Sequence, residues 1–294
     1  MDEHLKRAVR RAFERAAPGY DASAFLQQEV ARRLDEHLEE IRVKPARVLD
    51  AGCGTGFGAG LLHARFPRAE IVGVDLAHAM LRVAAGRGRA QGWRGLIERL
   101  APRAAHFTPL CADLERLPLR EASVDMAWSS LTLQWVDLPR AFAEVRRVLR
   151  PDGLFLFATL GPDTLQELRA ASSGLDGHAH VNRFVDMHDV GDALMQAGFA
   201  NPVMEMERLT LTYQDLRGLF ADLKGIGAQT VLEGRRAGLM GKTAWAALAR
   251  NYEAFRRDGR LPATYELVYG HAWAGRPAPR ADGRQVIEFR RRPK

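Results

Sequence analysis

The sequence predicts an α/β fold: a seven-stranded, mostly parallel sheet with helices on both faces and helical insertions late in the chain. Three observations carry this reading. Short apolar runs bounded by turns alternate with stretches of helical periodicity, the order a parallel sheet with crossover helices imposes. A glycine-rich turn, "VLDAGCGTGFG" at 48–58, joins the first run to a helix. An aspartate closes each of the first three runs, at Asp50, Asp75 and Asp113.

The elements follow in order. Residues 8–17 and 22–40 read as helices, with Phe25, Val30, Leu34, Leu38 and Ile41 recurring at helical spacing. "RVLDAG" is a first strand, followed by a helix through Leu62. "IVGVDL" at 71–76 is a second, followed by a helix from about His78. "FTPLCAD" at 107–113 and "SVDMAWSS" at 123–130 are the third and fourth, and "RAFAEVRRVL" at 140–149 is the next helix. "PDGLFLFATL" brings a turn and a fifth strand. "VGDALMQAGF" is a helix stopped by Gly198. "PVMEMERLTLT" alternates as a sixth strand, and "TYELVYGHAWA" at 264–274 is the seventh. The expected organisation is one domain over 1–274. Helices at 8–41 precede a cofactor-binding core at 45–160, and insertions at 161–187 and 214–262 act as lids, since long insertions in compact domains tend to be functional. A loose basic tail occupies 275–294. The stretch 86–106, between the second helix and third strand, is longer than the core needs.

Composition narrows the class. At 294 residues, 47% hydrophobic and 27% charged, the chain is ordinary globular protein. No apolar run is long enough to cross a bilayer, and the acidic, interrupted N-terminus is no secretory signal. Two cysteines make no disulfide framework, so the expected setting is reducing and cytoplasmic. The net charge of +7 suits an acidic partner, or reflects arginine-rich composition alone. No nucleic-acid-binding signature accompanies it, and neither nucleic acid nor membrane is expected as a partner.

The glycine turn lets a ligand approach backbone N–H groups. Asp50 immediately before it would repel a pyrophosphate but suits an ammonium or sulfonium. Asp75 stands where a carboxylate accepts from ribose hydroxyls, and Asp113 could accept from the exocyclic amine of adenine. Together they suggest an adenosine-bearing, cationic ligand, which S-adenosylmethionine is. Cys53, inside the loop, reads as a small packing residue, and no metal site is expected.

The stretches "VLDAGCGTGFG", "IVGVDLAHAML", "CADLERLPL" and "LRPDGLFLFATL" resemble the successive motifs of class I S-adenosylmethionine-dependent methyltransferases, with a Rossmann-like fold. The resemblance implies that Gly52, Gly54 and Gly56 cradle the methionine part, that Asp75 and its neighbour Leu76 meet the ribose, and that Asp113 and Leu114 meet the adenine. It also places Ser129 beside the transferable methyl. Segments outside that core carry a narrower likeness: "AFERAAPGYDASAFLQQEVARRL", "SSLTLQWVDLPRAFAEVRRVLRPDG", "TLGPDTLQELR", "HVNRF", "DLKGIGAQTVLEGR" and "GRLPATYELVYG". These resemble the malonyl-acyl carrier protein O-methyltransferases of biotin synthesis, the BioC family, from about residue 8 to residue 274.

That likeness implies methylation of the free carboxylate of a malonyl thioester on an acidic acyl carrier protein, with S-adenosyl-L-methionine as donor. The carboxylate is already ionised at neutral pH, so no general base is expected. Arg183 is the expected partner of the buried carboxylate, ordered by His180. Tyr20 and Gln134 are expected to help orient it, with Trp135 lining the pocket and Lys224 facing the carboxylate or the carrier. Arg217, Arg235 and Arg236 are candidate docking residues for the carrier protein. At position 130 this chain has Ser where many members have Asn. Other readings remain open at this point: a protein-arginine hydroxylase of the mitochondrial complex I assembly type, a methyltransferase acting on another small acid, a quinone or RNA, and a non-catalytic S-adenosylmethionine-binding module.

Overall fold

A computed structural model describes residues 2–87, 107–175, 178–228 and 241–275. Seven strands form one sheet in the order β3-β2-β1-β4-β5-β7-β6. They are β1 (Arg47–Ala51), β2 (Glu70–Asp75), β3 (Phe107–Cys111), β4 (Val124–Ser130), β5 (Leu149–Leu160), β6 (Phe199–Tyr213) and β7 (Leu261–Ala274). The first five pair in parallel, and β7 runs antiparallel between β5 and β6. The strand order reverses between β1 and β4. In such sheets the crevice beyond the carboxyl ends of the strands at the reversal is the ligand site.

Alternation along the strands sorts side chains into two apolar layers. One layer takes Val48, Met126, Trp128, Leu154 and Leu156 together with Leu26, Val30 and Leu34 of α3 (Phe25–His37). The other takes Leu49, Ala51, Phe155 and Phe157 together with Phe142 and Val145 of α6 (Leu138–Val148) and Val190 and Leu194 of α8 (Met187–Gln196). Between β1 and β3 lie α4 (Phe57–Arg65) and α5 (His78–Arg87).

The N-terminal helices differ from the sequence reading at their edges. Helix α1 spans Glu3–Ala16, starting before residue 8, because the Asp2 carboxylate caps it by accepting from the His4 amide at 3.1 Å. A short α2 (Tyr20–Ser23) separates it from α3. Strand β7 begins at Leu261 rather than 264, because Leu261 pairs with Tyr213 at the end of β6.

The expected insertions carry α7 (Gln166–Ser172) in the first and α9 (Leu216–Gly225) and α10 (Lys242–Glu253) in the second. All three pack on the first apolar layer through Leu168, Leu219 and Leu248. The end of α9 abuts the N-terminal helices closely. A Cβ built on Gly225 would stand 2.1 Å from the Ser23 hydroxyl oxygen, and one on Gly227 would stand 3.3 Å from the Ala12 backbone. The glycines of "DLKGIG" thus let a segment past residue 216 touch the chain's first two helices. Most of the 86–106 stretch, residues 229–240 and the tail from 276 lie outside the described residues.

Candidate active site

A cavity opens at the carboxyl ends of β1, β2, β3 and β4. Gly52, Gly54, Asp75, Leu76, Asp113, Leu114 and Tyr20, all expected at the site, line it. Around the glycine turn the backbone is left-handed, with φ of +82° at Gly52, +52° at Gly54 and +84° at Gly56. Their surroundings differ. A Cβ on Gly52 would fall 2.1 Å from the Thr132 hydroxyl oxygen, so the Thr132 side chain of the turn after β4 packs directly on the Gly52 backbone. A Cβ on Gly54 would meet no atom within 4 Å. Gly56 is not among the lining residues. It caps α4, and a Cβ there would crowd Ala84 of α5 at 2.9 Å, so its role is helix packing.

The three acids occupy distinct settings. The Asp75 carboxylate accepts from the Gly54 amide at 2.9 Å and the Ala77 amide at 2.8 Å, which fixes its rotamer. Burial pushes its carboxyl up to about 6, helped by Glu14 and opposed by those two amides. Asp113 accepts from the Glu115 amide at 2.9 Å through Oδ1 and from the Lys6 ammonium at 2.5 Å through Oδ2. Asp50 is 2% exposed and does not line the cavity. Its Oδ2 is buried with no hydrogen-bond partner, and so is the indole N–H of Trp128, its register partner on β4. Burial, reinforced by Asp75, pushes the Asp50 carboxyl up to about 7 against the pull of the Ala59 amide.

Aromatic side chains form part of the cavity wall. Phe13, Tyr20 and Trp135 all line the cavity. The Phe13 ring lies edge-on to Trp135 at 5.6 Å and tilted against Tyr20 at 6.5 Å. Burial, with the Asp75 and Asp21 carboxylates, drives the Tyr20 phenol far above its ordinary value, so its hydroxyl keeps its proton and stays a donor. Asp21 accepts from the buried Thr55 hydroxyl at 2.7 Å and pairs with Arg87, tying α2 to the glycine turn.

Several expected residues stand elsewhere. Ser129 is fully buried, and its hydroxyl donates to the Ala51 carbonyl at 2.9 Å. Strand alternation puts Ser130 at the cavity instead, with its hydroxyl oxygen buried and unpaired. Removing the Ser129 hydroxyl in Ser129→Ala is therefore expected to lower unfolding free energy by about 1 kcal/mol while leaving donor affinity unchanged. Denaturant melts and calorimetric titration check the two halves. Gln134 is not a lining residue. Its amide N–H donates to the Leu131 carbonyl at 2.7 Å, and its oxygen accepts from the Thr159 hydroxyl at 3.4 Å. Arg183 is exposed, in the coil before α8, and His180 is half-buried; neither lines the cavity. Lys224 and Arg217 are exposed on α9, whereas Arg235 and Arg236 lie outside the described residues. Cys53 is buried beside Gly73, as a packing residue should be.

Sequence reasoning missed Lys6, Phe13, Glu115 and Thr132, which all line the cavity. Lys6 sits in an amphipathic helix, and its partners are far along the chain, so no local signal marks it. A separate open concavity of about 590 Å³, lined by His37, Tyr269, His271 and Trp273 among others, shares no residue with this site.

The donor set fits S-adenosylmethionine. It offers open space over Gly54 and acceptors at the end of β2 and beyond β3, with the buried Asp50 carboxylate behind the lining. Comparison with known proteins agrees. The methyltransferase-domain family matches residues 49–157. A malonyl-[acyl-carrier protein] O-methyltransferase of Gallionella capsiferriformans is 54% identical over 96% of this chain and 96% of its own length. One of Laribacter hongkongensis is 55% identical over 97% and 95% respectively. Among solved structures, the YcgJ protein of Bacillus subtilis shares the fold with a TM-score of 0.56 at 16% identity, covering 85% of this chain and 99% of that one. Near-complete coverage at such identity, including the N-terminal helices and both insertions, settles the family: the chain belongs to the malonyl-[acyl-carrier protein] O-methyltransferases.

Proposed function

We propose that this chain transfers a methyl group from S-adenosylmethionine to the free carboxylate of a malonyl thioester carried on acyl carrier protein. One observation carries the reading. The glycine turn, Asp75 and Asp113 converge on a single cavity whose wall also includes Tyr20 and its aromatic neighbours. The near-full-length relatives bear that activity's name, and the hydroxylase alternative finds no support among them.

When bound, S-adenosylmethionine supplies an electrophilic methyl on a sulfonium centre. The chain's own residues do the remaining work. Asp75, held by two amides, offers its remaining lone pairs to ribose hydroxyls. Asp113 accepts from the adenine amine. Gly52 and Gly54 bring backbone close to the amino-acid portion, and Asp50 supplies negative charge behind the turn. The acceptor carboxylate needs orientation and removal of water rather than deprotonation. In this reading Tyr20 and Ser130 orient it, supported by a protonated phenol in the wall and an unpaired buried oxygen at the end of β4. They succeed Gln134, whose amide is engaged elsewhere, and Arg183, which stands at the surface. Burial of the reacting groups under α1 and α2 raises the strength of every polar contact made there.

The insertions act as lids in this reading, and α9 presents Arg217 and Lys224 to solvent, suited to an acidic carrier. The joint between α9 and α2 gives a direct prediction. Gly225→Ala forces a methyl into Ser23, so it is expected to raise KM for the carrier-bound substrate about tenfold, with donor affinity changed less than about threefold. Adding Ser23→Gly should restore KM. The proposal as a whole is tested by titration with S-adenosylhomocysteine, followed by turnover of malonyl-acyl carrier protein with methyl-labelled donor. Binding without transfer to the malonyl carboxylate refutes the substrate; absence of binding refutes the donor.

A further inference from the structure

The described part of the cavity contains a lysine that the reaction outlined above does not use. Lys6 projects from α1 and is 9% exposed. Its ammonium lies 2.5 Å from Asp113 Oδ2 and 2.7 Å from Glu115 Oε2, and all three residues line the cavity. The carboxylates are themselves held. Asp113 Oδ1 accepts from the Glu115 amide at 2.9 Å, and Glu115 Oε1 accepts from the Asp137 amide at 3.0 Å. A lysine between two carboxylates stays charged, and here the pairing outweighs the pull of burial and leaves it raised. Two of its three N–H groups serve these carboxylates, and among the described residues the third has no protein acceptor at this cavity-lining position.

Helix α1 is fixed over this point from several directions. Val9 and Phe13, on the same face as Lys6, also line the cavity. Glu14 accepts from the amides of His78 and Ala79 at 2.8 and 3.1 Å, docking the helix on the start of α5. The ammonium and the Asp113 carboxylate therefore stand as a rigid donor beside a rigid acceptor. An adenine edge presents the complement: an exocyclic amine that donates next to a ring nitrogen that accepts. Hypoxanthine replaces the amine with an acceptor oxygen, which would face the carboxylate directly.

We propose that Lys6 is a specificity-determining residue of the donor site. Its ammonium orients Asp113 for the purine amine and donates its remaining N–H to the neighbouring ring nitrogen, so that the pair reads adenine against a 6-oxopurine. The proposal rests on the reading that Asp113 faces the adenine of S-adenosylmethionine. It goes further in making the N-terminal helix, outside the glycine-loop core, a part of base recognition.

The test compares S-adenosylhomocysteine with S-inosylhomocysteine by calorimetry on the full chain and on Lys6→Met, with melting temperature recorded alongside. The wild-type protein is expected to prefer the adenosyl ligand. Lys6→Met is expected to weaken the adenosyl ligand about tenfold or more and the inosyl ligand less than about threefold, collapsing the preference. Equal weakening of both ligands means that Lys6 only packs the helix, and it overturns the proposal, as does an unchanged preference. A measurement on the unmutated protein stands independently of how the variant folds. The proton and nitrogen resonances of the buried Lys6 ammonium should move on adding S-adenosylhomocysteine, and no movement at saturation refutes the contact. If the wild-type protein binds neither ligand, the donor reading itself fails, an outcome distinct from retained binding with an indifferent Lys6.

Discussion

Gly52→Ala is expected to abolish measurable binding of S-adenosylhomocysteine and to lower stability at the same time. Two causes add. The backbone at Gly52 is left-handed at φ +82°, which costs a residue with a Cβ about 1–2 kcal/mol. The new methyl would also lie 2.1 Å from the Thr132 hydroxyl oxygen and 2.6 Å from its Cβ, so the turn after β4 must move away from β1. That turn carries Leu131, Thr132 and Trp135 into the cavity wall, and displacing it opens the site where the methyl is transferred. Affinity should fall at least about 100-fold by calorimetry, with a fall in melting temperature. Gly54→Ala is the informative contrast. Space is open at its Cβ, so stability should fall only by the left-handed penalty while the methyl intrudes on the ligand. A Gly52→Ala protein that binds the ligand normally would refute this role for the turn.

The second large effect concerns Asp50 and depends on pH. Its carboxyl is raised to about 7 in the folded chain, against 3.8 as its ordinary value. A raised acid contributes no penalty while both states are protonated. Stability is lost progressively as pH climbs from the unfolded value through the folded one, because ionisation is then favoured only in the unfolded chain. At pH above 7 the accumulated cost is on the order of 4 kcal/mol. Asp50→Asn should therefore stabilise the ligand-free protein at about pH 8 and leave it unchanged near pH 4.

Donor binding carries the opposite sign. A cationic ligand favours the ionised carboxylate, so binding releases a proton below pH 7 and affinity rises with pH until it levels near neutrality. Asp75, raised to about 6, adds a lower step. Asp50→Asn should weaken S-adenosylmethionine about tenfold or more and flatten the upper step. Calorimetry across a pH series, in buffers of different ionisation enthalpy, counts the released protons. An affinity indifferent to pH in the wild-type chain would contradict the assignment.

The sheet was legible because its strands are short apolar runs closed by turn residues, a pattern that needs no knowledge of partners. Asp75 and Asp113 were legible because they follow neighbouring parallel strands whose carboxyl ends open on one crevice, whereas Asp50, placed by the same logic, does not line it. Position 129 against 130 shows where this stops. Both serines close β4, and only the pleat decides which faces the cavity. Ser129 alternates onto the side where its hydroxyl reaches the Ala51 carbonyl, which leaves Ser130 at the cavity; that alternation needs the strand's register, which the sequence alone does not fix. The chemistry of Arg183 suits a carboxylate, but chemistry alone does not say which way a coil turns, and its side chain is exposed. Lys6 lay beyond reach for the opposite reason, since only the folded chain brings α1 to the end of β3.

The docking of α1 also bears on how such a protein can change over time. The matched core at 49–157 supplies the glycine turn and the acids, but Lys6, Val9, Phe13 and Tyr20 come from a separate stretch that encloses the same space. Grip on the donor, and the speed with which its demethylated form departs, are thereby tunable through substitutions in the first turns of the polypeptide. Catalytic turnover can drift or adapt there without disturbing the loop that every transfer requires.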